Sequence, residues 1–321
     1  MIWLLISAAL LVAILLICAY TYKICFYSPK DRLEDPYSEM EIDQYEDALD
    51  DIHRCTSLME RTPFKWVNIR SWDGTPLRGR YYHTADGAPV MLMFHGYRSM
   101  ALRDCAGGFL LGKKLGFNIL AVDQRAHGGS GGRTITFGVK ERRDCQSWAE
   151  FVTNWHGMDT PVILAGLSMG AATVLMASDL PLPSNVVCIT ADCPYSSVGG
   201  ILRKVSKDEG YPAKLIYPFL WLGARIFGNF NPSVSSAVAS VASTKVPILL
   251  IHGEQDDFVP CDMSREIFSA NPDAVTLQTF PNAGHGLSYM SDPVRYEQIT
   301  VDFFRNIPNL KEYMERDKND H

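Results

Sequence analysis

The sequence predicts an α/β protein whose central, mostly parallel β-sheet carries helices on both faces. Short, wholly apolar runs bounded by turn residues recur along the chain, as in strands that are buried on both faces. Segments with helical spacing separate these runs, as crossovers between parallel strands require. The length of 321 residues and the hydrophobic fraction of 47% are those of a globular protein, which excludes a disordered or collagen-like chain.

The predicted elements follow one another between residues 64 and 306. The predicted strands are 67–70, 77–83, 90–94, 118–122, 162–165, 186–191, 246–251 and 275–280, the first two forming a hairpin. The predicted helices are 101–115, 139–156, 170–179, 262–270 and 292–306. Residues 195–243 interrupt the alternation and predict an inserted helical cap over the carboxyl ends of the strands. The domain therefore covers 64–310, and a polar tail follows over 311–321.

An uncharged apolar run occupies residues 2–22. As a helix it would span about 30 Å, the thickness of the hydrocarbon core of a bilayer. Aromatic residues stand at both ends of the run, where aromatic belts lie (Trp3, Tyr20 and Tyr22). A cleaved signal peptide would need basic residues before the run and an Ala-x-Ala-like cleavage site near its end, and neither is found. The sequence predicts an uncleaved single-pass anchor over 1–23.

The charges beside this run indicate its orientation. Lys23, Lys30 and Arg32 follow it, and no basic residue precedes it. Under the positive-inside rule, this asymmetry favours a position of the following domain on the cytoplasmic side of the membrane.

An acidic segment, 24–63, joins the anchor to the domain. Residues 31–60 contain eleven acidic and two basic residues, a net charge of -9 in a chain of net charge -6. The rest of the chain is therefore only weakly basic, which argues against nucleic acid as a partner. Within 36–60 an apolar stripe predicts a helix (Met40, Tyr45, Leu49, Ile52 and Met59). This helix is interpreted as packing on the domain edge, with a partner-docking helix as the alternative.

The sharpest chemical motif is Gly166-Leu167-Ser168-Met169-Gly170, between a predicted strand and a predicted helix. Its glycines allow a sharp strand-to-helix turn with close backbone approach. Such a turn presents the Ser168 hydroxyl at a helix N-terminus, where the Met169 N–H can face a developing negative charge. The motif predicts Ser168 as a nucleophile.

A serine nucleophile needs a histidine base and a carboxylate that orients it. Elbows of this type are followed along the chain by the acid and then by the histidine. His285 lies just after the last predicted strand and is the candidate base. The preferred acid is Asp256, five residues after the strand 246–251, while Asp257 and Asp192 remain alternatives.

Acyl transfer also needs two donors directed at the oxyanion. The Met169 N–H is one candidate. The loop after strand 90–94 reads His95-Gly96-Tyr97, and the Tyr97 N–H is the second candidate because Gly96 lets the backbone approach the substrate.

These motifs together resemble those of the α/β-hydrolase superfamily, over about residues 64–306. The resemblance is carried by His95-Gly96-Tyr97, Asp123-x-Arg125-x-His127-Gly128-x-Ser130, the Ser168 elbow, His252-Gly253-x-x-Asp256 and Gly284-His285. It implies an α/β-hydrolase fold with nucleophile Ser168, acid Asp256, base His285 and oxyanion donors Tyr97 and Met169. Asp123, Arg125 and His127 are interpreted as loop-structuring residues.

The chain is most similar to the branch that holds monoacylglycerol-lipase-like esterases and serine-aminopeptidase-like enzymes. The stretch 192–197 is similar to that of membrane-anchored bacterial members. The acidic segment has no counterpart in the family pattern, so the resemblance implies nothing about it.

Other chemistries fit the sequence poorly. No HExxH or clustered Cys/His pattern suggests zinc, and the eight cysteines are scattered singly. The glycines at 128–132 lack the Lys-Ser/Thr of a P-loop, and no dinucleotide fingerprint is found. No cofactor and no metal are expected.

The sequence thus predicts a serine hydrolase that forms an acyl-enzyme. The cap carries five basic residues against two acidic ones, together with many apolar residues. A basic and apolar cap on an anchored enzyme favours a small acyl ester or lipid-like substrate. A peptidase or amidase is the alternative because the same triad cleaves both bonds. A catalytically silent, membrane-tethered interaction module is a third interpretation.

Overall fold

An eight-stranded sheet forms the centre of the computed structural model, which describes residues 1–29, 35–37 and 43–316. The strands are β1 (Lys65–Arg70), β2 (Pro76–Tyr82), β3 (Val90–Phe94), β4 (Asn118–Asp123), β5 (Val162–Leu167), β6 (Val186–Asp192), β7 (Ile248–Gly253) and β8 (Val275–Phe280). Their order across the sheet is β1-β2-β4-β3-β5-β6-β7-β8. The pairs β1–β2 and β2–β4 are antiparallel and the others parallel, so the predicted mostly parallel sheet is confirmed.

Helices cover both faces of the sheet, as predicted. The α-helices of the described residues are α1 (Ile2–Cys25), α2 (Leu49–Arg61), α3 (Ala101–Asp104), α4 (Ala106–Lys114), α5 (Glu141–His156), α6 (Met169–Ala177), α7 (Val198–Asp208), α8 (Ala213–Ile226), α9 (Ala237–Val241), α10 (Asp262–Ala270), α11 (Ser288–Ser291), α12 (Pro293–Arg305) and α13 (Pro308–Arg316). The predicted helix 101–115 is interrupted at Cys105, which separates α3 from α4.

Two apolar layers enclose the sheet because its central strands bury both faces. One layer contains residues of α5, α6, α9 and α10, and the other contains residues of α2, α4, α12 and α13. The predicted polar tail differs from the structure, since α13 continues to Arg316. Leu310 of α13 is buried, and the Tyr313 hydroxyl donates to the Gly116 carbonyl oxygen at 3.0 Å.

The cap consists mainly of α7 and α8. Its apolar residues join a third cluster with Met169 and Tyr97, so the cap lies over the carboxyl ends of the strands as predicted. The end of the predicted insertion 195–243 differs, because Ala237 and Val241 of α9 pack in the layer under the sheet. The inserted part is therefore shorter than predicted.

Helix α1 is long and apolar enough to cross a membrane, and most of it is exposed. Its last turns pack against α8. The Thr21 hydroxyl donates to the Phe219 carbonyl oxygen at 3.2 Å, and a Cβ at Gly223 would lie 2.6 Å from the Cys18 carbonyl oxygen. Glycine at position 223 therefore lets the two helix backbones approach closely.

The acidic segment forms a 3-10 helix, Asp43–Ala48, followed by α2. Ile52, Cys55 and Met59 of α2 are buried, which agrees with the predicted packing on the domain edge. Met40 of the predicted stripe lies outside the described residues.

Candidate active site

The backbone between β5 and α6 forms a strained turn at Ser168. Ser168 has φ 53° and ψ -113°, a conformation that L-residues rarely adopt. A Cβ at Gly166 would collide with the Gly170 backbone, and one at Gly170 would collide with the Phe94 carbonyl oxygen. The two glycines are therefore what allows the predicted elbow to form against β3.

The structure brings three predicted residues together at this turn. The Ser168 Oγ lies 2.9 Å from His285 Nε2, and His285 Nδ1 lies 2.7 Å from Asp256 Oδ2. Ser168 and His285 each retain 6% of their surface exposed, and Asp256 retains 5%. The three side chains thus form one buried hydrogen-bonded row, which is the geometry expected of a nucleophile, a base and an orienting carboxylate.

Asp256 is held as a carboxylate by several donors. The N–H groups of Phe258 and Val259 donate to Oδ1 at 3.0 and 2.7 Å, and His252 Nε2 lies 3.1 Å from Oδ2. Burial alone would raise the pKa of Asp256, but the hydrogen bonds from His252 and His285 outweigh it and lower the pKa to about 2. Asp256 is therefore ionised at neutral pH, where it holds the His285 ring through Nδ1.

The two alternative acids lie elsewhere. Asp257 is exposed, and its carbonyl oxygen accepts a bond from Lys204 of the cap. Asp192 is buried and accepts a hydrogen bond from the Ser288 hydroxyl at 3.0 Å. Burial raises the pKa of Asp192 to about 6. Of the three candidates, Asp256 is the one hydrogen-bonded to His285.

The loop after β3 approaches the elbow closely. A Cβ at Gly96 would lie 3.5 Å from the Ser168 Cβ. The Gly96 N–H donates to Asp104 Oδ2 at 2.7 Å, and the Arg98 N–H donates to His127 Nε2 at 3.0 Å. Both neighbours of Tyr97 are thereby fixed, and Met169 follows Ser168 as the first residue of α6. This arrangement is compatible with the predicted oxyanion donors.

Residues at the end of β4 and in the loop that follows it organise loops and do not line the hydrogen-bonded row. Arg125 forms a bidentate pair with Asp144 at 2.5 Å and contacts Asp73 at 3.0 Å. Asp123 Oδ2 accepts the Gly129 N–H at 2.9 Å. His127 supports the loop after β3, as described above. These contacts agree with the loop-structuring interpretation.

The cap closes one side of the site. Tyr195, Val198 and Ile201 share a buried cluster with Tyr97 and Met169. The cap also reaches the acid loop, where Lys204 Nζ lies 5.9 Å from the centre of the Phe258 ring, and that ring lies 5.1 Å from the His285 ring.

The acidic segment closes the other side. A cavity of about 100 Å³ lies beside the elbow, with Tyr45 and Ile52 in one wall and Leu167 and Gly286 in another. Gln44 Oε1 accepts the His285 N–H at 2.9 Å. The predictions missed this contact because nothing in an acidic, helix-like segment indicates a partner 241 residues away.

Two further supporting residues were missed. Asp104 lies in a predicted helix, and nothing in that pattern links it to Gly96. His252 belongs to the His-Gly motif quoted above and could have been suspected from it. Its Nδ1 lies 2.6 Å from the Ser264 hydroxyl, which fixes the ring beside Asp256.

One group of potential metal ligands lies close together among the described residues. Cys193, Asp256 and His285 place their ligand atoms within 4.8 Å of one another. Burial raises the pKa of the Cys193 thiol well above its usual range, so the thiol stays protonated at neutral pH. Since Asp256 and His285 are hydrogen-bonded to each other, these residues fit the hydrogen-bonded row with Ser168 better than a metal site.

Comparison with known proteins gives one family. A family model described as "Alpha/beta hydrolase family" matches residues 91–299. The uncharacterized protein YqkD of Bacillus subtilis is 24% identical over 284 residues, 88% of this chain and 90% of its own length.

Solved structures share the fold. An esterase, Pf2001 of Pyrococcus furiosus, aligns with a TM-score of 0.63 at 21% identity over 86% of this chain and 98% of that chain. An acylaminoacyl peptidase of Pyrococcus horikoshii aligns with a TM-score of 0.54 at 17% identity over 76% of this chain and 42% of that chain. At these identities the likeness establishes the architecture and leaves the bond that is cleaved open.

Proposed function

Because the chain belongs to the alpha/beta hydrolase family, we propose that it is a serine hydrolase that cleaves carboxylic esters. The observation that carries the proposal is the row of Ser168, His285 and Asp256, with contacts of 2.9 and 2.7 Å at the elbow. A row of this geometry supplies the activated hydroxyl that acyl transfer needs.

In the proposed mechanism, Ser168 Oγ attacks the acyl carbonyl carbon while His285 Nε2 takes the hydroxyl proton. Asp256 holds Nδ1–H and stabilises the imidazolium that forms. The N–H groups of Tyr97 and Met169 stabilise the tetrahedral oxyanion. The imidazolium then protonates the leaving alcohol, and water repeats the sequence on the acyl-enzyme to release the acid.

A fluorophosphonate probe tests this assignment. We expect the wild-type protein to be labelled at Ser168 and the variant Ser168→Ala to remain unlabelled. Ser147→Ala, a substitution on helix α5, should label like the wild type. Full-strength labelling of Ser168→Ala would remove Ser168 as the nucleophile. A folded wild-type protein without labelling or turnover would favour the silent interaction module.

Two observations support an acyl ester as substrate. The cap that covers the row is rich in apolar side chains, and α8 packs on the apolar helix α1. We propose that α1 is a membrane anchor, so that the site is held close to acyl lipids. Lys23 in the last turn of α1 favours a cytoplasmic catalytic domain.

A second candidate function is an amidase acting on a substrate with a free amine. Asp104 and Asp192 line the cavity beside the elbow, and carboxylates there favour a substrate ammonium group. The two candidates are separated by comparing acyl p-nitrophenyl esters with aminoacyl p-nitroanilides. We expect kcat/KM for the esters to exceed that for the amides by about 100-fold or more, and the reverse order would favour the amidase.

A further inference from the structure

We infer that helix α8 of the cap lies in the headgroup region of the bilayer that α1 crosses. This inference rests on the proposed membrane anchor and names a second surface through which the catalytic domain meets lipid.

The contact with α8 lies at the end of the predicted span. Residues 2–22 of α1 rise about 30 Å, which fills the hydrocarbon core. Gly223 of α8 packs against Cys18 and Thr21, and the Phe227 ring lies 6.0 Å from the Tyr22 ring. Since Cys18, Thr21 and Tyr22 belong to the last turns of the span, α8 is at the boundary between hydrocarbon and headgroups.

The side chains of α8 suit a helix at the boundary between hydrocarbon and headgroups, with one face on the protein and an apolar face directed away from it. Leu220 and Ala224 are buried toward the catalytic domain. On the face away from them, an apolar stripe recurs at intervals of four, three and four residues (Leu215, Phe219, Leu222 and Ile226). Leu215 is 67% exposed and Ile226 is 52% exposed. The stripe borders the face that contacts α1, so it is directed at the same bilayer.

Basic residues lie next to the stripe. Lys214 and Arg225 are both exposed, and each immediately flanks a stripe residue at one end of α8. No acidic residue occurs within α8. A helix with an apolar face and a basic border is the pattern of segments that lie in a membrane surface and contact anionic headgroups.

The experiment uses the full-length protein in vesicles of phosphatidylcholine and phosphatidylglycerol. A nitroxide label is attached to Ile226→Cys, to Leu10→Cys inside the span, or to Glu266→Cys on the exposed surface of α10, each in a Cys25→Ser background. The seven other cysteines are buried. Collision with oxygen and with a water-soluble nickel chelate reports the depth of each label.

We expect the labels at positions 10 and 226 to collide more with oxygen, and the label at position 266 to collide more with the nickel chelate. If the label at 10 favours oxygen while that at 226 behaves like the label at 266, the docking of α8 is overturned and the anchor stands. If the label at 10 also favours the chelate, the proposed anchor itself fails and the inference fails with it. Neither result depends on catalytic activity.

A separate observation concerns Gln44, and we propose that it is a positioning residue for His285. Its Oε1 accepts the His285 N–H at 2.9 Å, so it holds the backbone of the base rather than its ring. The neighbouring Tyr45 lies in the wall of the cavity that Gly286 also lines. The segment that follows the anchor therefore fixes the loop that carries His285, whose ring must point at Ser168.

Gln44→Met keeps the length of the side chain and removes the acceptor. We expect kcat on a soluble ester to fall about tenfold with KM nearly unchanged, because the ring is less well oriented while the substrate contacts remain. Gln44→Glu keeps the acceptor, so kcat should recover. In the profile of kcat/KM against pH, its carboxylate should also shift the acidic limb to higher pH by up to about one unit, since a nearby negative charge favours the imidazolium.

Gln298→Met, an exposed substitution on α12, is the control for the methionine variant. The proposal is overturned if Gln44→Met matches this control within about twofold. It is equally overturned if Gln44→Glu fails to restore kcat and leaves the acidic limb where it was. A purely structural role would lower stability without moving the pH profile.

Discussion

At Ser168, the chain adopts a conformation that costs on the order of 1–3 kcal/mol, and two glycines make it sterically possible. The strain directs the hydroxyl at His285, 2.9 Å away. The acid at the other end of the row is fixed by two backbone N–H groups and two histidines. The site residues are therefore oriented by the backbone before any substrate arrives.

Replacing Asp256 tests the role of the acid. Asp256→Asn keeps the shape of the side chain but removes the charge that stabilises the imidazolium and fixes its tautomer. We expect kcat on a soluble ester to fall about 10³–10⁴-fold with the fold intact. Asp257→Asn, a change in the exposed neighbour, is the matched control and should retain kcat within about twofold.

Asp192 predicts a pH dependence of stability. Burial raises the pKa of Asp192 to about 6. The native state therefore favours the protonated carboxyl, and this contribution is fully present below about pH 4 and lost as the pH rises through 6. The rise in the pKa of Asp192 from its usual value corresponds to a contribution of about 3 kcal/mol to the free energy of unfolding. We expect Asp192→Asn to flatten the fall in the free energy of unfolding between pH 4 and 7, measured by urea denaturation in detergent. An unchanged slope would contradict the assignment.

At the scale of the elements, close backbone approaches decide which parts of the fold can assemble. Gly170 lets α6 contact the end of β3, and Gly223 lets α8 contact α1. Both contacts join elements that are distant along the chain, and each leaves no space for a Cβ atom.

Substitution of Gly170 separates a steric clash from backbone strain. A Cβ at Gly170 would collide with the Phe94 carbonyl oxygen, so Gly170→Ala must displace β3 or α6. We expect a loss of about 3 kcal/mol or more in the free energy of unfolding. Gly74 has φ 82°, and a Cβ at this position would meet no atom within 4 Å, so Gly74→Ala should cost only about 1 kcal/mol of backbone strain. Equal costs for the two variants would show that the clash is relieved locally.

At the scale of the whole molecule, the end of α1 is built into the catalytic domain. Phe26 is fully buried against Phe137 and Phe230. The Tyr97 hydroxyl donates to the Cys25 carbonyl oxygen at 2.8 Å, which links helix α1 to the loop that holds a proposed oxyanion donor. The catalytic domain therefore has a fixed orientation relative to α1.

Phe26→Ala tests this connection. Removing a fully buried aromatic ring leaves a cavity and should lower the free energy of unfolding by about 3–5 kcal/mol, measured on the full-length protein in detergent. Leu10→Ala, on the exposed part of α1, is the control and should have little effect. A small loss for Phe26→Ala would mean that α1 and the domain are only loosely joined.

The local pattern was enough to predict the strands, most of the helices and the order of the motifs. Strands buried on both faces leave short, wholly apolar runs in the chain, and amphipathic helices leave a periodicity of 3.6 residues. It also singled out Ser168, His285 and Asp256, since turn chemistry and order along the chain restrict the candidates. These properties depend on residues that are near one another in sequence.

Only the tertiary structure decided which distant groups meet. Gln44 at the His285 backbone, Asp104 at Gly96 and the packing of α8 on α1 join residues far apart along the chain, and no local periodicity records such pairings. The end of the cap differs for the same reason, since a short apolar helix such as α9 packs equally well above the sheet or within its core layer. The physical cause is that burial is set by the whole assembled surface, whereas propensity and turn chemistry are set by neighbours in the chain.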